Sequence, residues 1–140
     1  MIIFSCDHAG FDLTQKLMNY FDKVNIEYKY IGPKEFNKDD DYPDFIIPAS
    51  NEVLKDKNNW GIFVCGSGIG ANMVANRHKG IRAILAQDTA TAYLARKDED
   101  ANVLTLGART TSFRSALKII KMFLTSEFEG GRHARRIAKY

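Results

Sequence analysis

The chain is poor in cysteine, with Cys6 and Cys65 alone among 140 residues and no CxxC spacing between them. That excludes a disulfide framework and a structural zinc site, and it fits a reducing compartment. Long hydrophobic runs are missing too, since none approaches the roughly 20 residues that cross a bilayer. Membrane spanning is therefore excluded. The start, Met1-Ile2-Ile3-Phe4-Ser5-Cys6-Asp7, passes straight from an apolar run into charge, without the basic region and longer apolar stretch of a secretory signal. Cytoplasmic residence is the expectation. No Asn-Gly hairpin signal occurs, and no internal repeat or low-complexity segment competes with a plain globular reading.

What is present is ordinary in amount and uneven in placement. Apolar residues at 45% and charged residues at 26% suit a globular protein. A length of 140 residues suits one domain spanning 1–140 with a basic tail at 130–140, too short for separate catalytic and cofactor domains. From Glu127 to Tyr140, Arg132, Arg135, Arg136 and Lys139 oppose only Glu127 and Glu129, which accounts for most of the formal net charge of +3. The tail lacks the interleaved aromatics of a nucleic-acid surface, so a small anionic ligand or a solvated helix end is expected there.

Apolar runs at Ile2–Cys6, Glu27–Ile31, Gly61–Cys65, Ile81–Ala86 and Val103–Leu106 read as buried strands. Between them, helical periodicity predicts helices over 11–21, 45–54, 71–77, 89–97 and 112–124, the last the longest. Asp44 is the expected cap of the second helix, with an early kink at Pro48. Strands alternating with helices predict a three-layer α/β/α sandwich with a five-stranded parallel, Rossmann-like sheet. In the common strand order 2-1-3-4-5, ligands bind where the order reverses, beyond the carboxyl ends of strands one and three. Those ends read Cys6-Asp7-His8 and Cys65-Gly66-Ser67-Gly68-Ile69-Gly70. Two thiols, a carboxylate, an imidazole and a glycine loop are expected to share one crevice.

The glycine loop is the sharpest local signal, because glycines let backbone N–H groups approach an anion in front of a helix. Gly66-Ser67-Gly68-Ile69-Gly70-Ala71 also matches G-x-G-x-x-A, with Asp88 where a dinucleotide ribose would be held. Against that, the fingerprint belongs to the first strand, and the helix here is short. A cysteine in Cys65's position is most often a small buried hydrophobe. At the mouth of a helix N-terminus, however, a thiolate is favoured and can take a proton from carbon. Cys6 has no such loop and reads as core. Asp7-His8 is suggestive as a pair, and Arg109 with the tail's Arg132, His133, Arg135 and Arg136 can clamp a phosphate if the tail folds over a crevice.

The set Cys6-Asp7-His8-Ala9-Gly10, Asp41-Tyr42-Pro43, Cys65 to Gly70, Gly80-Ile81-Arg82-Ala83, Ala101-Asn102-Val103-Leu104, Gly107-Ala108-Arg109 and Glu129-Gly130-Gly131-Arg132-His133 resembles the ribose-5-phosphate isomerase B family. That family also contains the allose and galactose 6-phosphate isomerases. The resemblance covers essentially the whole chain. It implies an aldose–ketose isomerase without metal or organic cofactor, acting on a phosphosugar as a homodimer or dimer of dimers with shared active sites, without nucleic-acid or membrane partners. By position, Cys65 would be the base of a cis-enediolate mechanism and Ser67 would assist proton movement between oxygens. Gly66, Ser67, Gly68, Ile69 and Gly70 would form the anion hole. Asp7 and Asn102 would hold sugar hydroxyls, His8, Arg109, Arg132, His133 and Arg136 would grip the phosphate, and Tyr42 would line the pocket.

Two positions depart from the family pattern. Members that lack the cysteine carry a glutamate just after the loop; here Ala71 stands there, which leaves the base role to Cys65. Ribose-type members carry His-Asn before the last strand, the histidine opening the sugar ring; here Asp98-Glu99 stands instead. An ordinary aspartate is ionised at neutral pH and donates protons poorly, so Asp98 is a weak substitute and a solvated acidic loop the simpler view. Galactose-type members also lack that histidine, so a hexose 6-phosphate isomerase is the alternative. A phosphosugar-binding protein without turnover is another.

Overall fold

The computed structural model describes all residues, 1–140. Five parallel strands form one sheet: β1 (Ile2–Cys6), β2 (Tyr28–Tyr30), β3 (Trp60–Cys65), β4 (Ala83–Leu85) and β5 (Val103–Gly107). Their spatial order is β2-β1-β3-β5-β4, so the last two strands are exchanged relative to the common order. The reversal of strand order between β1 and β3 is as expected, and it sets the carboxyl ends of those two strands side by side.

The helices divide between two faces because alternate strand residues do. Phe4, Ile62, Val64, Leu104 and Leu106 pack on α1 (Phe11–Lys23), α4 (Thr89–Glu99) and α5 (Phe113–Thr125). Ile3, Phe63 and Val103 pack on α2 (Tyr42–Val53) and α3 (Ile69–Ala75). The three-layer sandwich is as expected. Since α1 and α5 are both 13 residues long, α5 is not longer than α1.

Helix boundaries differ where caps and turns outweigh periodicity. The second helix, α2, begins at Tyr42, with Asp41 at its N-cap position and Pro43 in its first turn. Proline's fixed φ suits that turn, and its missing N–H costs nothing there. Asp44 lies inside the helix, not at the cap. The helix runs through Pro48, whose missing donor leaves only the carbonyl of exposed Asp44 unpaired. Asp88 is the N-cap of α4, its carboxylate accepting the Thr91 N–H at 2.7 Å; that work, not a ribose, occupies it. The α4 helix continues through Asp98 and Glu99 to Asp100, a left-handed C-cap at φ 45° whose carboxylate holds Arg82 at 3.0 Å and Arg96 at 2.8 Å. The acidic triplet is therefore a helix end, not a solvated loop. Beyond Gly130 and Gly131, both at positive φ, the basic tail forms a short helix, α6 (Arg132–Ile137).

A one-turn 3-10 segment, His8–Gly10, seats the residues after β1 directly on β3. An ideal Cβ on Gly10 would stand 2.3 Å from the Val64 carbonyl oxygen, and backbone cannot retreat there. Gly10→Ala should lower stability by about 1–3 kcal/mol in urea denaturation; an undiminished midpoint would show that the turn is not seated on β3.

Candidate active site

The crevice is built by backbone packed on backbone. After Cys65 the chain turns through Gly68, which sits at φ +78° with no room for a Cβ between Leu85, Leu106 and Gly107. A Cβ on Gly107 would in turn meet the Ser67 carbonyl at 2.6 Å. The Ala108 and Arg109 N–H groups donate to the Cys65 and Gly66 carbonyls at 2.9 and 3.0 Å. The loop and the end of β5 are thus one rigid unit. Cys65 is 4% exposed, and its sulfur accepts the Gly68 N–H at 3.2 Å. Ser67 Oγ accepts the Ile69 N–H at 3.2 Å while its side chain is exposed. Of the five residues expected to form an anion hole, Gly68 and Ile69 have therefore committed their donors. The N–H groups of Gly66, Ser67 and Gly70, and of Ala71 next to it, have no acceptor in the chain.

Gly66 and Gly70 are also covered by side chains. The Arg109 guanidinium lies where a Gly66 Cβ would be, 2.9 Å from its carbon, and the Tyr42 ring lies similarly over Gly70. Arg109 is exposed and has no carboxylate partner. From β1, buried Asp7 caps the 3-10 turn through the Gly10 N–H at 3.0 Å, and His8 follows at the rim. Asp7, His8, Tyr42, Cys65, the glycine loop and Arg109 are therefore gathered on the carboxyl side of the sheet.

The two thiols do not meet. Cys6 faces the α1 layer and Cys65 the α2 layer, because they stand on alternate faces of adjacent strands. Cys6 Sγ is fully buried 3.3 Å from Tyr30 Oη. Burial pushes its thiol up, against hydrogen bonds to Tyr30 and Thr14 that pull it down. It belongs to the core.

The remaining expected residues sit at the opposite, amino-terminal side of the sheet, the length of β5 away, roughly 15 Å. Asn102 precedes β5, with Oδ1 accepting the Arg82 N–H at 2.8 Å and Nδ2 donating to the Gly80 carbonyl at 2.9 Å. Its amide clasps the entries of β4 and β5, which corrects its assignment to a sugar hydroxyl. Asp98 stands in the last turn of α4, 3.6 Å from the Nε2 of buried His133 on α6. Arg132 and Arg136 are exposed on α6 without ion-pair partners. One chain alone does not bring these residues to its own crevice.

The sequence matches the family described as Ribose/Galactose Isomerase over residues 2–140. The chain belongs to that family. Ribose-5-phosphate isomerase B of Escherichia coli is 32% identical over 136 residues, covering 97% of this chain and 91% of the relative. A crystal structure of ribose-5-phosphate isomerase B from Mycoplasma genitalium with bound ribulose 5-phosphate superposes with a TM-score of 0.94 at 39% identity, over 99% of this chain and 91% of that one. The ribose 5-phosphate isomerase structure from Thermotoga maritima gives a TM-score of 0.94 at 38% identity, over 99% and 94%. This protein is accordingly a sugar phosphate isomerase of that family, and no helix in it is long and apolar enough to cross a membrane.

One residue of this isomerase's crevice escaped the sequence reading. Asp40, 7% exposed at its side chain, accepts both the His8 Nδ1 at 2.7 Å and the His8 backbone N–H at 2.9 Å. Its other oxygen is buried without a partner. His8 is the only ion-pair partner of this carboxylate, and the hydrogen bond between them raises the His8 pKa above its ordinary value. The only signal was the acidic run Asp39-Asp40-Asp41, which reads equally well as a loop marker. Because the folded value is raised, the pair's contribution to stability is complete below the ordinary range and lost as pH rises through the raised one. In Asp40→Asn, His8 should titrate at lower pH by NMR of its ring protons, whereas an unchanged titration would remove Asp40 from the pair.

Proposed function

We propose that this isomerase interconverts ribose 5-phosphate and ribulose 5-phosphate, with Cys65 as the base. The observation that carries this reading is a sulfur at the head of a glycine loop whose Gly66, Ser67, Gly70 and Ala71 N–H groups are unpaired. The ribulose 5-phosphate bound to the Mycoplasma genitalium relative supports the pentose. The Cys65 thiolate removes the C2 proton of the open-chain aldose, and the electron pair forms the C1–C2 double bond as negative charge develops on O1. The free loop donors face that charge in a site already organised to receive it. Ser67 assists proton movement between the two oxygens, and the thiol returns its proton to C1 to give the ketose. Asp7 holds a sugar hydroxyl, Tyr42 lines the pocket, and His8 and Arg109 grip the phosphate. Binding energy from that distant group orients the reacting carbons.

The clamp is finished by a second copy of the chain in a homodimer. Arg132 and Arg136 are unpaired cations on the wrong side of their own sheet, and a neighbouring crevice gives them a dianion to neutralise. Asp98 and His133 travel with them, which places an acid–base pair near the neighbour's sugar ring where ribose-type relatives have histidine.

Purified protein should convert ribose 5-phosphate faster than allose 6-phosphate or galactose 6-phosphate in an aldose–ketose assay. A preference for either hexose phosphate would shift the assignment to the alternative suggested by Asp98, and turnover of none would overturn both. Cys65→Ala should lose roughly 10²–10⁴-fold in kcat with unchanged unfolding, and full activity in that variant would remove the thiol from the chemistry.

A further inference from the structure

The loop between β2 and α2 closes on His8 from two sides. Asp40 Oδ1 accepts from His8 Nδ1 at 2.7 Å and from the His8 backbone N–H at 2.9 Å. The Phe36 ring stands edge-on to the imidazole, 6.4 Å between centroids, and leans in turn on Phe11. Ring and backbone are thereby fixed together, and Nε2 is left without a partner in the chain. A carboxylate only accepts, so Asp40 commits the neutral imidazole to the tautomer with its proton on Nδ1. In that tautomer Nε2 shows a lone pair, which repels a phosphate oxygen; the imidazolium alone shows an N–H there. Burying Asp40 carries a cost, because its Oδ2 has no hydrogen-bond partner. A neutral amide in its place could accept the same two bonds, so the fold itself does not require the charge.

We propose that Asp40 is a positioning residue for the phosphate end of the substrate: it holds His8 so that only the cationic ring grips a dianion, and affinity follows the protonation of that ring. The inference rests on the reading of His8 as a phosphate ligand. Two effects of one carboxylate work together. The hydrogen bond selects which nitrogen faces outward, and the same bond favours the protonated ring, the direction in which His8 is shifted. Asp7, at the end of β1, acts on the ring in the same direction. Cys6 of β1 and Tyr30 of β2 feel the charge of Asp40 and are both pushed up, so they stay neutral, while Phe11 and Phe36 bring no charge. Arg109 is the other cation of the proposed grip within this chain. Because the folded value of His8 is raised, the grip is complete below that value and lost as pH rises through it. Without the Asp40 charge the loss moves to lower pH.

The test is an NMR titration of the full-length protein with sodium sulfate, a dianion at every working pH, read at backbone amide shifts and run at fixed ionic strength. In the unsubstituted chain the sulfate Kd should rise as pH climbs through the titration of the His8 ring. Asp40→Asn keeps the shape and the Oδ1 acceptor; it should weaken sulfate about tenfold at about pH 7.5 and move the pH-dependent rise to lower pH. His8→Ala should abolish that pH dependence, and adding Asp40→Asn to it should weaken sulfate no further, because Asp40 acts through the ring. An unchanged Kd and pH course in Asp40→Asn, or an additive loss in the double variant, would overturn the proposal and leave the His8 grip standing. Full sulfate affinity in His8→Ala, or none in the unsubstituted chain, would overturn that grip and the proposal with it.

Discussion

Everything reactive in this chain depends on one close approach of main chain to main chain, where the loop after Cys65 lies against the end of β5. Gly68 and Gly107 are the two positions at which a single methyl group would part them. Because nothing intervenes, the Cys65 sulfur, the unpaired loop N–H groups and Arg109 share a fixed frame. Preorganised donors of this kind need no rearrangement when charge develops on a substrate oxygen, which makes them effective in stabilising an enediolate. The same tightness explains why Arg109 and Tyr42 fold over Gly66 and Gly70: the loop offers flat backbone where other residues would offer side chains.

The parallel sheet imposes a second constraint. Every strand ends on the crevice side, and every connecting helix carries the chain back to the other, so residues late in α4 and in α6 stand away from Cys65. A chain of this length meets that constraint, in the proposed assembly, by presenting its distal cations to another copy. Arg132 and Arg136 form no ion pair within their own chain, whereas His8 has Asp40 at 2.7 Å. The proposed phosphate clamp would therefore combine a histidine whose pKa a buried carboxylate raises with arginines that have no ion-pair partner of their own.

The strands and the glycine loop were legible because buried parallel strands read as short apolar runs, and because three glycines in five residues have few other uses. The switch point was legible for the same reason, although the exchange of β4 and β5 was not: nothing in either strand encodes which edge it joins. The start of α2 was misplaced because Asp41-Tyr42-Pro43 looks like a loop until Pro43 is seen as a first-turn residue. Cys6 and Cys65 were placed in one crevice because strand ends were counted without the alternation of faces. Asn102 was misassigned by position in a motif, when its amide bonds to Arg82 and Gly80 could be seen only after β4 and β5 were paired. Asp40 was invisible because its partner lies 32 residues away, and no local pattern announces a contact across that span.

The account's central claim is that a crevice holding Cys65 works with Arg132 and Arg136 of another copy. Cys65→Ala and the double variant Arg132→Ala/Arg136→Ala should each be nearly inactive alone. Unfolded together and refolded as a mixture, they should recover about a quarter of wild-type activity, because half of the dimers are mixed and each mixed dimer carries one intact site of two. A mixture no more active than its two components would contradict the account.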